Sequence, residues 1–157
     1  MHYEMRRKDR AVSRDEALVF LDKAPYGVLS TVDGDGVPYG VPLSLARDGD
    51  WLYFHGALEG HKAVNLRGQS SVCVSFVGSA EFPQDNFTVV YESAVVIGTV
   101  YEVLEDDEKI RGLRLISGRF TPGNMSAFEE ETAKMLKFTG VWKIHIDEIT
   151  GKRRKKP

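Results

Sequence analysis

A predicted strand, turn and helix in the first half of the sequence carry the residue types that a flat, phosphorylated ligand needs. The strand ends in His55, Gly56 and Ala57, and the helix has His61 and Lys62 in its first turn. Glycine lets the backbone approach a ligand closely, and the N–H groups and dipole of a helix N-terminus attract an anion. Lys62 would add a formal positive charge. The alternative is an ordinary strand, turn and helix with a solvent-exposed lysine, and the residue types alone favour neither interpretation.

Further candidates lie on the neighbouring predicted strands. Pro42, between Val41 and Leu43, has no backbone N–H to donate, which predicts an edge strand or a place where pairing opens beside a heteroaromatic ring. Ser93 is a small polar residue on an otherwise apolar strand face, and a satisfied core hydroxyl is an equally good interpretation. Trp142 could cover an aromatic ligand, although a tryptophan buried in a barrel is the commoner outcome.

Other kinds of site find little support in the sequence. There is no Cys-x-x-Cys pair, no helical His-x-x-x-His, no Gly-x-Ser-x-Gly and no phosphate-binding Walker loop. No metal site is predicted. The run that begins at Asp33 and ends at Gly36 is typical of a hairpin turn and too short for an EF-hand calcium loop. The single cysteine, Cys73, lies in an alternating apolar run and is predicted to be packed and unreactive.

Length and composition predict one domain over residues 1–157. The 157 residues include 42% hydrophobic residues, enough for a sizeable core, and the net charge of -2 does not suit a general polyanion binder. The basic residues concentrate in a predicted arm, residues 1–12, and a predicted basic tail, residues 151–157. We interpret both as solvated, with nucleic-acid binding as the minority interpretation. With no secretion signal, no apolar run of bilayer length and a single cysteine, we expect a cytoplasmic protein without a membrane partner.

The helices that would surround the site can be read from capping signals. Ser13 and Glu16 form a capping box that opens a helix ended by Pro25, and Ser126 with Glu129 is predicted to open another helix that runs to about residue 138. Two further helices are predicted near residues 60–66 and over residues 106–120.

The remaining sequence alternates in the manner of strands separated by turns. The first three strands are predicted to form a local meander, and Gly98 predicts a bulge in the long fifth strand. The predicted strands cover residues 26–32, 37–45, 51–55, 71–77, 89–104 and 141–149. This order predicts a mainly β protein, a small antiparallel barrel with peripheral helices.

Taken together, these motifs resemble the FMN-binding split-barrel proteins related to pyridoxamine 5'-phosphate oxidase, and among them the nitroimidazole-resistance (Nim) branch. The resemblance rests on the basic residues before the first capped helix, on residues 38–43 and 52–57, and on Gly60, His61 and Lys62, and it covers residues 5–152. It implies a six-stranded antiparallel split β-barrel with flanking helices. It also implies a homodimer that holds FMN at the subunit interface.

The resemblance also implies roles for single residues. Val41, Pro42 and Leu43 would lie along the isoalloxazine ring, the segment 54–57 would support the ring and ribityl chain, and His61 and Lys62 would approach the phosphate. Trp142 and Lys152 would come from the partner subunit. The candidate cofactor-binding residues are Val41, Pro42, Leu43, Phe54, His55, Gly56, Ala57, His61, Lys62, Ser93, Trp142 and Lys152.

The resemblance implies an FMN-dependent oxidoreductase that reduces a small aromatic acceptor, such as a nitroimidazole, with electrons from a reduced nicotinamide or another donor. In the Nim branch the histidine that matches His55 is linked to activity on nitro compounds, so His55 is the candidate catalytic residue. A structural histidine is the alternative. The arginine-rich substrate site of the oxidase is not recognisable, so we do not expect vitamin B6 oxidation. The competing function is a flavin- or haem-binding protein without turnover, with His55 or His61 as an axial ligand.

Overall fold

A computed structural model describes residues 4–85 and 87–156, and most of these residues lie in one antiparallel sheet. The strands are β1 (Ala11–Val12), β2 (Gly27–Val32), β3 (Pro38–Leu43), β4 (Ala46–Asp48), β5 (Trp51–Ala57), β6 (Ser71–Glu81), β7 (Val90–Val103) and β8 (Thr139–Arg154). The helices are α1 (Arg14–Lys23), α2 (His61–Gly68), α3 (Asp106–Phe120) and α4 (Phe128–Met135), with 3₁₀ segments at Lys8–Arg10, Pro122–Ala127 and Leu136–Phe138.

The order of the strands makes the sheet curl into an open barrel. The order is β3-β2-β6-β7-β8-β5-β4, and β1 pairs with β8. The two outermost strands, β3 and β4, follow each other in the chain with only Ser44 and Leu45 between them. Because a linker of this length spans at most about 11 Å, the two edges of the sheet lie close together. No ladder joins β3 to β4 in the described residues, so the barrel is split and not closed.

The mainly β split barrel predicted from the sequence is confirmed, but it has eight strands where six were expected. The strand predicted over residues 37–45 ends at Leu43 as β3, and the chain then forms β4 (Ala46–Asp48) at the opposite end of the sheet order. The predicted meander of three adjacent strands is therefore wrong. Pro42 lies in β3, an edge strand that pairs only with β2 in the described part of the chain, as its missing N–H predicted.

The two chain ends are more ordered than the sequence suggested. Residues 151–154 belong to β8, and the arm supplies β1, whose Ala11 and Val12 pair with Lys152 and Gly151. A free basic tail was predicted to begin at Gly151, and this is wrong for residues 151–154, which are part of β8. Basic side chains on a strand can point to solvent while the backbone stays in the ladder, so charge alone did not mark the end of the strand.

Local signals placed most helices correctly. The capping box of Ser13 and Glu16 is present at α1, and α3 covers the predicted range. The second capping box is wrong, because Ala127 is the N-cap of α4 and no side chain caps this helix. Ser126 already lies in the 3₁₀ segment Pro122–Ala127, so its backbone is turning before α4 begins. No helix in residues 4–85 and 87–156 has the length and hydropathy that a membrane crossing requires.

Strand β5 lies between two apolar clusters and is held firmly by both. Leu52 and Phe54 point into the barrel, where the interior cluster also contains Trp142 and Ile144. Tyr53 points outward and packs under α3 with Val103, Ile116 and Val141. This alternation fixes which way each residue at the end of β5 faces, and the end of β5 is where the candidate site begins.

A bulge bends the long pair β7 and β8. The register shifts between Ile97 and Gly98, as the sequence predicted, and a Cβ at Gly98 would overlap the carbonyl oxygen of His145. Strand β6 has a second shift between Val77 and Ser79 and continues to Glu81, beyond its predicted end.

Arg119, at the end of α3, joins this helix to α1 and to the linker before β4. Its guanidinium donates hydrogen bonds to four backbone carbonyls: Leu21 at 3.3 Å, Asp22 at 2.9 Å, Ala24 at 2.8 Å and Leu45 at 2.6 Å. Burial lowers the pKa of Arg119. Three of these carbonyls lie at the end of α1, where helix carbonyls lack helical donors, and the fourth, that of Leu45, lies in the linker before β4. Arg119 therefore supplies donors to both segments.

Candidate functional site

The N-terminus of α2 lies against the end of β5, and the site formed by Gly56, Gly60 and Lys62 is called the Lys62 corner. Gly60 is the N-cap of α2 with φ of 107°, and no side chain caps the helix. The ammonium of Lys62 lies 5.6 Å from the centre of the Phe54 ring and 5.9 Å from that of Trp142. A first helical turn without a side-chain cap and a lysine beside it together favour an anion.

Lys62 has no acidic partner in the described part of the chain. Burial alone lowers the pKa of its ammonium, and its close contacts are two aromatic rings. An anion bound beside this half-buried ammonium would stabilise its charge, because burial has removed part of its hydration and no carboxylate replaces it in the described residues. The phosphate of a nucleotide would supply that anion.

Gly56 makes room for this lysine. A Cβ at Gly56 would lie 2.5 Å from the Lys62 Nζ atom and 3.9 Å from the Trp142 ring. Gly56 and Lys62 were each predicted as candidate cofactor-binding residues, and the structure places the Lys62 ammonium in the space that a Cβ at Gly56 would occupy. What the sequence did not show is that the lysine folds back over the end of β5 instead of extending into solvent.

His61 links α2 to the edge strand β3. Its ring lies 4.3 Å from the ring of Tyr39, centre to centre, with a 39° tilt. Val41 and Leu43 are half-buried against the interior cluster, whereas Pro42 is exposed on the other face of the strand. The three β3 residues predicted to lie along one ligand ring therefore do not share a face.

Phe54 and Trp142 form the floor of the corner. Their rings stack at 5.7 Å with an 11° angle, and their exposed fractions are 0% and 1%. The ring of Trp142 lies inside its own barrel, which is the buried-tryptophan alternative given in the sequence analysis, and its proposed role toward a partner subunit stays a prediction. Its indole Nε1 is buried without a hydrogen-bond partner in the described residues.

Ser93 and Lys152 lie far from Lys62 within one chain. They are a directly paired couple on β7 and β8, and they line a cavity of about 500 Å³ with Met5 of the arm. Ser93 is not in the core but on the outer face of the sheet. Glu102, which binds Arg67 of α2, lies nine residues further along β7, roughly 30 Å away at strand spacing. The structure thus does not bring these two predicted residues to the Lys62 corner of the same chain.

His55 faces the other side of β5, toward α3 and α4. It lines a cavity of about 580 Å³ together with Gly56 and Ala57. Burial by the cavity wall, and then the positive charge of Lys62, lower the pKa of His55. The imidazole is therefore neutral near pH 7 and can either donate or accept one hydrogen bond.

The sequence analysis missed the walls of this cavity. The walls come from α3, α4 and the 3₁₀ segments around α4, and they mix apolar side chains with neutral polar ones. No lysine or arginine is among the described residues that line it, and Glu131 contributes a carboxylate. Met135 and Phe138 remain 52% and 70% exposed at its rim. Such a concave, mixed surface suits a small neutral or cationic ring and not a phosphate. The walls are Leu113, Ser117, Thr121, Asn124, Ala127, Phe128, Glu131, Thr132, Met135, Leu136, Phe138 and Thr139.

A metal centre has no counterpart in the described residues. Nowhere in residues 4–85 and 87–156 do three or more histidine, cysteine, aspartate or glutamate side chains group closely enough to hold a metal ion.

Comparison with known proteins assigns the family. A family model described as pyridoxamine 5'-phosphate oxidase matches residues 13–153. The chain belongs to this family. No curated protein matches the chain significantly. The match includes β5, α2 and the α3–α4 segment, so both sides of the candidate site lie within the matched residues.

Solved structures with the same fold carry several different descriptions. A Bacteroides thetaiotaomicron protein assigned to 5-nitroimidazole antibiotic resistance is 22% identical with a TM-score of 0.74, covering 96% of this chain and 95% of its own. The flavocytochrome Anf3 of Azotobacter vinelandii is 23% identical with a TM-score of 0.80, and the match covers 99% of this chain and 74% of Anf3. A FAD and haem binding protein of Mycobacterium smegmatis is 25% identical with a TM-score of 0.78, and the match covers 95% of this chain and 75% of that protein. These similarities establish the split-barrel fold.

Proposed function

We propose that this protein is a flavin-dependent oxidoreductase that binds FMN through the Lys62 corner and reduces a small aromatic acceptor. The observation that carries the proposal is the half-buried ammonium of Lys62, which has no acidic partner in the described residues and lies at the N-terminus of α2, where no side chain caps the helix. The FMN phosphate has the charge and the acceptor oxygens that this corner lacks. Membership of the pyridoxamine 5'-phosphate oxidase family supports a flavin as the phosphorylated ligand.

The acceptor would enter from the opposite side of β5. When bound, the flavin supplies the electron transfer, and the residues of this chain orient the two reactants. The cavity beside His55 has no cationic side chain among its described lining residues, so it favours an uncharged or cationic ring. Neutral His55 would donate or accept a hydrogen bond at a polar group of this ring. The nitroimidazole-resistance assignment of the Bacteroides relative supports a nitroaromatic acceptor.

We further propose that the active unit is a homodimer with the FMN at its interface. The outer face of β6 and β7 includes three exposed apolar side chains, Val77, Val95 and Ile97, which are 54%, 37% and 43% exposed. Ser93 and Lys152 lie on the same outer face and are remote from Lys62 of their own chain. A second copy seated on this face would supply Ser93 and Lys152 to a site that one chain leaves incomplete.

The proposal is tested by FMN binding to a Lys62→Gln variant. Removing one charge-assisted contact to the phosphate is expected to weaken FMN binding at least about tenfold in an equilibrium fluorescence titration. Lys137→Gln is the matched control, because Lys137 is exposed on the far side of the cavity rim and forms no ion pair in the described residues. Equal FMN affinity in wild type and Lys62→Gln would remove the phosphate from this corner.

A flavin- or haem-binding protein without turnover is the second candidate. It is favoured by the 25% identity to the FAD and haem binding protein of Mycobacterium smegmatis. In this case His61, exposed beside Tyr39, or His55 would be the axial ligand. Reconstitution with haem, followed by His55→Ala and His61→Ala, tests this candidate. A haem spectrum that neither substitution changes would exclude both histidines as ligands.

A further inference from the structure

A second cationic depression lies at the other end of the molecule, between the arm and the end of β8. It has a volume of about 580 Å³, and its walls include Arg10 of the arm together with Arg154 and Lys155. It is formed by β1 pairing with β8, which brings the basic residues of the two chain ends together. The sequence analysis treated these residues as two separate solvated segments.

Two of the five cations that line this depression are paired with carboxylates, and three are not. Arg7 binds Asp9, and Arg153 binds Glu16. Arg10, Arg154 and Lys155 form no ion pair in the part of the chain that the structure describes, and Arg10 only donates to the Tyr91 hydroxyl at 3.5 Å. The five cations that line the depression outnumber its two carboxylates, Asp9 and Glu16, and the resulting positive potential attracts an anion with more than one charge.

An aromatic depression adjoins the cationic one. It has a volume of about 540 Å³, and it shares Arg154 with its neighbour. Its walls include Phe82, Phe87 and Tyr91, and the side chains of Phe82 and Phe87 are 67% and more than 100% exposed. Large aromatic side chains at this exposure offer faces on which a planar base can stack.

We propose that these two joined depressions bind a nucleotide that carries at least two phosphates. Arg10, Arg154 and Lys155 would hold the phosphates, and Phe82 and Phe87 would hold the base. Arg154 lines both depressions and therefore contacts both parts of the ligand. A guanidinium can bind a phosphate in bidentate fashion and can also stack on a ring.

A small nucleotide is favoured over a nucleic acid strand. The chain carries a net charge of -2, and the unpaired cations number three within a bounded depression instead of following a long groove. Strand binding requires a positive track over several nucleotides. Within one chain the site is also separate from Lys62, because Tyr91 and Arg154 lie beyond Ser93 at the end of β7 that is remote from α2. In the proposed dimer it would lie beside Ser93 and Lys152, which the second copy supplies to the flavin site.

The test uses calorimetric titration of the whole protein with ADP, adenosine and inorganic pyrophosphate at low salt. We expect ADP to bind most tightly, with pyrophosphate binding more weakly and adenosine weakest. Arg154→Gln should weaken both ADP and pyrophosphate about tenfold, the effect of losing one charge-assisted hydrogen bond. Phe82→Ser should weaken ADP and leave pyrophosphate unchanged, because it removes only a stacking face.

Three controls keep the result interpretable. Lys137→Gln removes the same charge elsewhere and should leave ADP affinity unchanged. Lys62→Gln should also leave it unchanged, and saturating FMN should not displace ADP, so this site and the proposed flavin site can fail separately. Lys155→Gln, at an exposed residue near the chain end, repeats the test if Arg154→Gln fails to fold.

Three results would overturn the proposal. The first is no ADP binding at millimolar concentration, and the second is equal ADP affinity in wild type, Arg154→Gln and Lys155→Gln. The third is tighter binding of a single-stranded oligoadenylate than of ADP with the same dependence on Arg154, which would assign the surface to nucleic acid.

Discussion

Lys62 is positioned by two neighbours that leave its charge free for a ligand. Gly56 gives it space because no Cβ occupies the position of its ammonium, and the stacked rings of Phe54 and Trp142 hold it by cation–π contact. None of these three residues neutralises the charge. The corner is therefore arranged for an anion, and the space at Gly56 is as important as the charge at Lys62.

Gly56→Ala should weaken FMN binding with little effect on folding. The new methyl group would push the Lys62 ammonium away, and a flexible side chain can move at small cost, so we expect less than about 1 kcal/mol of lost stability. FMN affinity should fall about tenfold as the phosphate loses its cation. Fluorescence titration and urea unfolding measure the two effects, and unchanged FMN affinity would separate Lys62 from ligand binding.

His55→Ala should lower the rate of nitroaromatic reduction and leave FMN bound. The imidazole lies at the acceptor cavity, and loss of one positioned hydrogen-bonding group costs about 10²-fold in such reactions. His55→Gln, which keeps a hydrogen-bonding group, should recover part of the rate. Full activity of His55→Ala would make His55 a structural residue.

His55 should also affect how the free energy of unfolding depends on pH. Burial and Lys62 lower the pKa of His55 in the folded chain, so the unfolded chain binds this proton more readily. The contribution of His55 to the free energy of unfolding is therefore complete above the ordinary histidine pKa and declines as the pH falls below it. Urea unfolding at pH 8 and pH 5 should show a smaller loss for His55→Gln than for wild type. An equal loss would contradict the pKa direction.

At the scale of elements, α3 both supports β5 and forms a wall of the acceptor cavity. Its N-terminal half is joined to β5 and β8 through Glu108, which accepts hydrogen bonds from the Tyr53 hydroxyl at 3.0 Å and from the Lys143 ammonium at 2.6 Å. Burial and Glu108 raise the pKa of Tyr53 to about 12, so the phenol stays protonated and keeps donating. Its C-terminal end is tied to α1 by Arg119.

Arg119→Ala should destabilise the protein by about 3 kcal/mol, because it removes the guanidinium donor from the carbonyls of Asp22 and Ala24 at the end of α1 and of Leu45 before β4. Arg119→Lys should recover only part of this loss, since an ammonium cannot reach all of these oxygens in one plane. Arg14→Ala is the control, as its ion pair with Asp50 is exposed and should contribute less than about 1 kcal/mol. Chemical denaturation compares the three variants, and equal effects at Arg119 and Arg14 would contradict the clamp.

At the scale of the whole molecule, the outer face of β6 and β7 is the proposed interface of the active homodimer. Ile97→Arg places a charge in the centre of the apolar face and should convert the proposed dimer into monomers with weakened FMN binding. Val19→Arg is the control, because Val19 is similarly exposed but lies on α1. Light scattering after size exclusion measures the oligomeric state of both variants, and fluorescence titration measures their FMN affinity. A monomeric wild-type protein that binds FMN normally would contradict the dimer.

Features set by neighbouring residues could be predicted from the sequence, and features set by distant pairing could not. The capping box at Ser13 and the contact-prone pair Gly56 and Lys62 depend on residues close in the chain. The placement of the consecutive strands β3 and β4 at opposite edges of the sheet, and the pairing of β1 with β8, depend on partners far away in sequence. The burial of Trp142 and the carbonyls bound by Arg119 follow from that long-range packing.

The visible absorbance spectrum of the purified protein tests the central claim most directly. We expect the twin bands of an oxidised flavin, or their appearance when FMN is added to a colourless preparation, with saturation at one FMN per chain. A Soret band, or a colourless protein that FMN does not titrate, would contradict it.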